Sequence, residues 1–179
     1  MMDQQAWQQL VDLYGPLVFS WCRRGGLGEE DAADAVQDVF TAVAGNIANF
    51  RRDKPCDSFR GWLRVITRNQ ILMYFRRAAS RPQPGVGGST ANLKIQQLAE
   101  SVLDESQEDT ADEQSGLFRR GLDAIRAEFE TRTWQAFWQV TVDERPQDVV
   151  ARDLGMTPGA VRQAKYKVLK RLRAELGER

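Results

Sequence analysis

The stretch PQDVVARDLGMTPGAVRQAKYKVLKRLR, residues 146–173, constrains the fold more than any other part of the chain. Pro146 is tolerated where a helix starts, and Gly155 can adopt the left-handed conformation that ends one. Thr157 is suited to cap the next helix, with Pro158 in its first position, where a missing amide hydrogen loses no partner. The pattern predicts two helices joined by a sharp turn, a helix-turn-helix.

The second of these helices has one apolar and one polar side. Inward positions are predicted for Val161, Val168 and Leu172, together with Ala164 or the stem of Lys165. Four side chains remain outside near the leading end: Arg162, Gln163, Tyr166 and Lys167. Arginine can donate two hydrogen bonds to a guanine edge and glutamine can pair with adenine. Four basic residues better suit phosphates: Lys167, Lys170, Arg171 and Arg173.

A basic terminal helix could also just complement its own dipole. Six Lys and Arg occur between Arg162 and Arg173 with no acid among them, which exceeds what that role requires. Ala151, Gly155 and Val161 also occupy the small, turning and apolar positions that let two helices cross closely. This combination favours DNA binding.

A second helical pattern, around residues 29–43, is acidic on one side. Its apolar positions recur at steps of three and four residues, which places them on one face: Ala32, Val36, Val39, Phe40 and Val43. The opposite stripe is polar and mainly acidic: Asp31, Asp34, Gln37, Asp38 and Thr41. Composition alone favours a core face and a solvated surface for this helix.

The segment SFRGWLRVITRNQILMYFRR predicts a third helix, with a row of arginines. Its predicted core side chains are Phe59, Leu63 and Ile66, with Ile71 or Tyr74. Arg60, Arg64 and Arg68 follow at four-residue steps and repel one another unless an anion lies across them. Three aromatic residues stand among them: Trp62, Tyr74 and Phe75. Cations interleaved with aromatics suit a single nucleic-acid strand, although Trp62 is equally well explained as a core residue.

The organisation of the 179-residue chain follows from composition and local charge. RPQPGVGGST, from Arg81 on, carries prolines and glycines that suit no helix interior. Lys and Arg number 11 against 9 Asp and Glu in residues 1–81, 1 against 7 in residues 82–116, and 13 against 9 in residues 117–179. We expect an all-α protein in which two small helical domains, 1–81 and 117–179, are joined by a flexible acidic linker, 82–116, where LKIQQLAESVL could form a short helix.

Several classes of function are excluded by what the chain lacks. It contains no histidine, which removes the commonest general base and any Ser-His or Cys-His arrangement. Cys22 and Cys56 form no CxxC pair, so we expect two reduced thiols and neither a metal site nor a cofactor. No stretch is long and apolar enough to span a bilayer, and the start resembles no signal peptide, which predicts a cytoplasmic protein without membrane insertion.

Taken in order, these motifs resemble the extracytoplasmic-function sigma factors, the compact sigma-70 family subunits that direct bacterial RNA polymerase to promoters. DAADAVQDVF is similar to the family's acidic helix that docks on the clamp helices of the polymerase beta-prime subunit. SFRGWLRVITRN is similar to its minus-10 and promoter-melting segment, and residues 131–176 to its region 4, which reads the minus-35 element. The resemblance covers about the whole chain and implies a non-enzymatic transcription initiation factor.

The resemblance implies specific roles for residues of this chain. The residues it implies for binding core polymerase are Asp34, Gln37 and Asp38. Those it implies for minus-10 binding and melting are Arg60, Trp62, Arg64, Arg68 and Asn69. Those it implies for minus-35 binding are Arg162, Gln163, Tyr166 and Lys167. Its expected partners are core polymerase, through the beta-prime clamp helices and the beta subunit, promoter DNA and an anti-sigma factor; the acidic linker would thread the active-site cleft and RNA exit channel.

The chain departs from the family pattern at several positions. Ala33 stands where the family commonly has a Glu before Asp34. Met73 stands four residues after Asn69, where the family often has an Asp. In the second helix of the helix-turn-helix, Ala164 and Lys165 reverse the family's usual order of a basic and then an apolar residue. The rival interpretation is a free-standing helix-turn-helix regulator, with residues 1–81 as its effector domain. Such a regulator would bind duplex DNA without polymerase, whereas a sigma factor should bind it weakly until core enzyme is present.

Overall fold

The computed structural model describes residues 4–50, 58–80 and 109–177. All regular secondary structure within these ranges is helical, which confirms the predicted all-α fold. The α-helices are α1 (Gln4–Arg24), α2 (Glu29–Asn46), α3 (Phe59–Ser80), α4 (Ala111–Ile125), α5 (Thr131–Thr141), α6 (Gln147–Asp153) and α7 (Pro158–Glu175). Single 3-10 turns follow α2 and α4, at Ile47–Asn49 and Arg126–Glu128. No helix of the described ranges is both long and apolar enough to cross a membrane.

The chain divides into two compact units, Met1–Leu117 and Phe118–Arg179. The division falls inside α4, so residues 111–116, which the sequence assigned to the flexible linker, are helical. The physical reason is a set of side-chain contacts at the start of α4 that are described below. The rest of the predicted linker, residues 82–108 with its expected short helix, lies outside the described residues, as do Cys56 and Arg81.

The core of the first unit lies where α1, α2 and α3 pack together. The buried side chains of α1 are Leu13, Tyr14, Leu17, Val18, Trp21 and Cys22. The buried side chains of α2 are Ala32, Ala35, Val39, Phe40 and Val43. Four of the five predicted α2 core positions are therefore buried, and only Val36 is half-buried. The three-and-four spacing identified the correct face of this helix.

Along α3 the predicted core positions Phe59, Leu63 and Ile71 are buried, whereas Ile66 is half-buried. Thr67 is buried as well, although its hydroxyl is polar. That hydroxyl donates to the Leu63 carbonyl at 2.9 Å, which removes the cost of burying an unpaired donor. The core stripe of α3 thus accommodates one polar residue without loss.

The core of the second unit is formed by α5, α6 and α7, with the last turns of α4. Phe137 is fully buried and lies 5.6 Å from the Trp134 ring, centroid to centroid. A tight cluster fills the crossing of the last three helices: Ala136, Val150, Ala151, Val161 and Ala164. The small Ala151 and apolar Val161 occupy the crossing as the sequence predicted.

Candidate functional site

The acidic face of α2, which we define as Asp34, Gln37 and Asp38, is exposed on the first unit. It is presented there because the opposite side of the helix is anchored in the core through Val39 and Val43. Among the described residues, a 3.8 Å ion pair joins Asp38 Oδ2 of this face to Arg77 Nη1. Both side chains are more than half exposed, so the pair is a weak one in water. The three side chains are available to a partner.

The arginine row of α3, defined as Arg60, Arg64 and Arg68, lies beside the core stripe and is half-buried. Its position follows from the helix repeat, since residues four apart share a face. Arg64 lies over the Trp21 ring, with Cζ 5.0 Å from the ring centroid. A guanidinium over an indole face gains a cation–π attraction that holds it in place. Asn69, also predicted for this site, is exposed on the same helix.

Trp62 combines the two roles between which the sequence could not choose. Its ring lies 4.9 Å from that of Phe50 and 5.6 Å from that of Phe59, centroid to centroid. Phe59 in turn packs on Tyr14 at 5.1 Å, so Trp62 rests on an aromatic cluster continuous with the core. The indole is nevertheless only half-buried. One side of a rigidly seated aromatic ring therefore remains accessible.

Asp109 lies against the arginine row, although nothing local in the sequence marks it as part of a site. Its carboxylate is 3% exposed and accepts from Arg64 Nη2 at 2.7 Å and from Trp21 Nε1 at 2.8 Å. Arg60 Nη1 stands 3.6 Å from its second oxygen. The anion that the sequence required across the arginines is thus supplied, at least in part, by the chain itself. Its partners lie 45 and 88 residues away in sequence, beyond the reach of any periodic pattern.

Glu113, one turn further along, closes the start of α4 on the same surface. Its Oε2 accepts from the Thr110 amide at 2.8 Å, while the Thr110 hydroxyl accepts from the Glu113 amide at 3.2 Å. This reciprocal pair is a capping box, in which two otherwise unpaired helix donors are satisfied. The other oxygen, Oε1, accepts from the Ser20 hydroxyl at 2.5 Å, and Arg24 Nη2 lies 3.3 Å from Oε2. The T-x-x-E spacing of Thr110 and Glu113 is a local signal for this helix start that the sequence interpretation missed.

The helix-turn-helix of the second unit has the predicted turn. Gly155 has φ +57°, the left-handed conformation, and the Thr157 hydroxyl accepts from the Ala160 amide at 3.1 Å as the cap of α7. Pro158 is the first residue of α7. Pro146 precedes α6 as its cap and is not its first residue, a shift of one position from the expected start. Arg132 of α5, which the sequence did not single out, donates to the Leu154 and Gly155 carbonyls and holds the turn.

The outer face of α7 carries the side chains predicted to read DNA. Arg162, Gln163, Tyr166 and Lys167 are all exposed, and the Tyr166 side chain is the most exposed large apolar group of the described residues at 62%. The inward positions Val161, Ala164, Val168 and Leu172 are buried. Lys170 Nζ lies 6.0 Å from the Tyr166 ring centroid, at the limit of a cation–π contact. The face therefore combines hydrogen-bond donors with one flat ring.

Arg171, which its charge predicted to suit a phosphate, is held by two carboxylates of the chain. It donates to both carboxylate oxygens of Glu128 at 2.7 Å and to Glu175 at 2.7 Å. The hydrogen bond to Glu128 raises the pKa of Arg171 further above its ordinary value. The expectation that Arg171 contacts a phosphate stays a prediction, since a strand phosphate would compete with these two carboxylates for the guanidinium. The pair with Glu128 ties α7 to the 3-10 turn after α4.

A metal site and a reactive thiol each make specific requirements of the described ranges. Within residues 4–50, 58–80 and 109–177, no group of three or more acidic or cysteine side chains could hold a metal ion. Burial raises the pKa of the Cys22 thiol to about 12, so it is not a nucleophile at neutral pH.

Comparison with known proteins assigns the first unit. A family model, Sigma-70 region 2, matches residues 10–81, the stretch that carries the acidic face and the arginine row. Over 77 residues the chain is 38% identical to the RNA polymerase sigma factor CnrH of Cupriavidus metallidurans. That stretch covers 42% of this chain and 39% of the relative, so the chain matches about two fifths of its length.

The helical fold and this match together assign residues 10–81. Residues 10–81 form a sigma-70 region 2 domain, in which α2 and α3 carry the two predicted surfaces. Residues 10–81 are therefore similar to region 2 of the sigma-70 family, as the motifs on α2 and α3 predicted. The helix-turn-helix lies outside the matched stretch, and its assignment rests on the geometry of the turn and of α7.

Proposed function

We propose that this chain is an extracytoplasmic-function sigma factor, which binds bacterial core RNA polymerase in the cytoplasm, directs it to particular promoters and assists opening of the duplex. The observation that carries the proposal is the region 2 match, because residues 10–81 contain both the exposed acidic face of α2 and the arginine row of α3. In this role the chain forms and breaks no covalent bond. It supplies surfaces that hold polymerase and DNA together.

The acidic face of α2 is proposed to bind the clamp helices of the polymerase beta-prime subunit. Asp34, Gln37 and Asp38 project from one side of a helix whose other side is fixed in the core, so little conformational freedom is lost on docking. Carboxylates that face a basic partner also raise the rate of encounter. Ala33 is exposed beside them and leaves a smaller contact surface than the Glu common in the family.

The arginine row and Trp62 are proposed to hold the separated non-template strand at the minus-10 element. Guanidinium groups can bind phosphates bidentately, and the half-buried indole offers one face for an unstacked base. Taking a base out of the stack costs a few kcal/mol, which stacking and phosphate contacts offset. Asn69, exposed two turns beyond Trp62, is placed to donate to the same strand.

The second unit is proposed to read the minus-35 element with α7 in the major groove, as region 4 of this family does. Arg162 and Gln163 are exposed at the leading end of the helix, where base edges come within reach. Tyr166 lies one turn further along and is proposed to face the bases as well, with Lys167 beside it on the sugar-phosphate backbone. The rigid turn at Gly155 and Thr157 supports this geometry.

Run-off transcription tests the proposal directly. Purified core polymerase is assayed with and without the chain on a library of promoter templates, with a vegetative sigma factor as the positive control. We expect transcripts from a subset of templates that require the chain. Folded protein that adds no transcript on any template would refute the sigma-factor role.

The clamp contact has its own test in a charge reversal, Asp38→Lys. The variant should co-purify with core polymerase less well than wild type, because a lysine faces the partner in place of a carboxylate. Asp123→Lys is the matched control, since Asp123 is an exposed aspartate on α4 outside the matched stretch. Circular dichroism should be unchanged for both. Equal retention of the two variants by core polymerase would show that α2 is not the docking helix.

A free-standing helix-turn-helix regulator is the second candidate. The observation that favours it is that the turn and the exposed face of α7 are complete within Phe118–Arg179, outside the region 2 match. Gel-shift assays on duplex promoter DNA with and without core polymerase discriminate the two. Tight sequence-specific binding by the chain alone would favour the regulator, and binding that needs core polymerase favours the sigma factor.

A further inference from the structure

Two acidic side chains at the start of α4, Asp109 and Glu113, form what we name the carboxylate pair. Their side chains are 3% and 6% exposed, so both are removed from water. Buried carboxylates are costly unless charged or polar partners surround them. Here the partners come from α1 and α3: Ser20, Trp21, Arg24, Arg60 and Arg64.

Two of these partners belong to the surface proposed to bind the separated DNA strand. Arg64 donates to Asp109 at 2.7 Å and Arg60 lies 3.6 Å from it, while Arg24 lies 3.3 Å from Glu113. A guanidinium presents the same donor fork to a carboxylate and to a phosphate. The Asp109 carboxylate therefore occupies donors that a strand phosphate would use.

We propose that the carboxylate pair is an internal competitor of single-stranded DNA for Arg60 and Arg64, and that the start of α4 leaves the arginine row when a strand binds there. The inference rests on the proposed strand-binding role of α3. Because the competitor is part of the same chain, its effective concentration is in the millimolar range or above. The free chain consequently binds single strands more weakly than its arginines alone would.

The contact geometry favours competition over a purely structural tie. Any buried ion pair could attach α4 to the core. Asp109 instead engages two arginines of the row at once, Arg60 and Arg64, and also accepts from the indole of Trp21. The side chains of Arg24, Arg60 and Arg64 remain 27–37% exposed. A phosphate can therefore approach them from solvent while Asp109 is still bound. Stepwise exchange of one anion for the other is therefore sterically open.

The test compares strand binding by two isosteric variants of the full chain. Asp109→Asn removes the competing charge, and Asp112→Asn is the matched control, because Asp112 has the same charge and lies exposed in the first turn of the same helix. Fluorescence anisotropy with a labelled mixed-sequence single strand, without polymerase, measures affinity from 50 to 200 mM salt. Asp109→Asn should bind about tenfold more tightly than wild type, the gain expected if about a tenth of wild-type molecules have the row uncovered. Asp112→Asn should match wild type.

The salt dependence and a double variant identify the source of the gain. Each additional phosphate contact should steepen the slope of log K against log salt by about 0.7 for a single strand. Adding Arg64→Gln to Asp109→Asn should abolish most of the gain. Equal affinity of the Asp109→Asn and Asp112→Asn variants, or a gain that survives Arg64→Gln, overturns the proposal, as does an absence of strand binding by every variant.

A measurement without substitutions keeps the test valid if Asp109→Asn does not fold. Hydrogen exchange of residues 109–117 in the wild-type chain should become faster when single-stranded DNA is added at saturation, because the start of α4 is released. Unchanged or slower exchange overturns the proposal. Neither assay contains polymerase, so failure here is separate from failure of run-off transcription, which judges the sigma-factor role.

Discussion

The turn between α6 and α7 makes a specific demand on Gly155 that can be measured. Gly155 has φ +57°, where an L-residue such as alanine pays roughly 1–2 kcal/mol and asparagine pays less. An added Cβ would also lie 3.1 Å from Arg132 Nη2, the group that donates to the Leu154 and Gly155 carbonyls. Displacing this flexible tip weakens those hydrogen bonds, at about 1 kcal/mol.

Gly155→Ala should therefore destabilise the second unit by about 2–3 kcal/mol, the sum of the backbone and Arg132 effects. Gly155→Asn shares the added Cβ but tolerates the left-handed conformation, so it should cost only about 1 kcal/mol. For a domain of this size each kcal/mol lowers Tm by roughly 4–8 °C. The asparagine variant is thus the control that isolates the backbone contribution.

Thermal unfolding by circular dichroism and hydrogen exchange of the α7 amides measure both variants. The order of stability should be wild type, then Gly155→Asn, then Gly155→Ala, with the loss of protection concentrated in the second unit. An alanine variant as stable as the asparagine variant would refute the argument that the left-handed turn requires glycine. Duplex binding should fall in the same order, because the turn sets the angle of α7.

Three further predictions concern single side chains. Burial raises the pKa of the Cys22 thiol from 9.0 to about 12, so iodoacetamide at pH 8 should leave it unmodified in the native chain and modify it in denaturant. Peptide mass spectrometry measures the modification, and rapid modification of the native chain would contradict the burial of this thiol. Arg171→Gln should lower the stability of the second unit by about 1 kcal/mol and leave the salt dependence of DNA binding unchanged. Lys167→Gln should instead reduce the slope of log K against log salt by about 0.9. The opposite result would show that Arg171 contacts a phosphate. Arg162→Ala should lose about 1–3 kcal/mol of discrimination at one minus-35 base pair, measured across a duplex library, and uniform weakening on all sequences would make it a backbone contact.

The sequence predicted those features that depend on local signals. The helix-turn-helix could be predicted because the residues that end one helix and start the next lie within four positions and each has a distinct backbone role: Gly155, Thr157 and Pro158. The acidic face of α2 could be predicted because apolar residues spaced three and four positions apart determine which side of a helix faces water. The exposure of Asp34 and Gln37 follows directly from that repeat.

The features that escaped prediction depend on contacts between distant residues. The ion pair of Arg171 with Glu128 was not predicted, because the two residues lie 43 positions apart in sequence. Asp109 was read as part of a solvated linker because acidic composition outweighed other signals, and its partners on α1 and α3 leave no local trace. The Thr110 and Glu113 capping box was a local signal that would have placed the helix start correctly.

The two oxygens of Glu113 bind different parts of the molecule, which couples the folding of the first turn of α4 to its attachment to α1. Oε2 caps α4 through Thr110, while Oε1 holds Ser20 of α1. The first turn of α4 and its attachment to α1 should therefore form and melt as one cooperative event. An excised peptide of residues 109–125 lacks the Ser20 partner and is near the length at which isolated helices are marginal in water. Such a fragment should be largely unstructured, so the order of this turn is a property that the first unit confers on it.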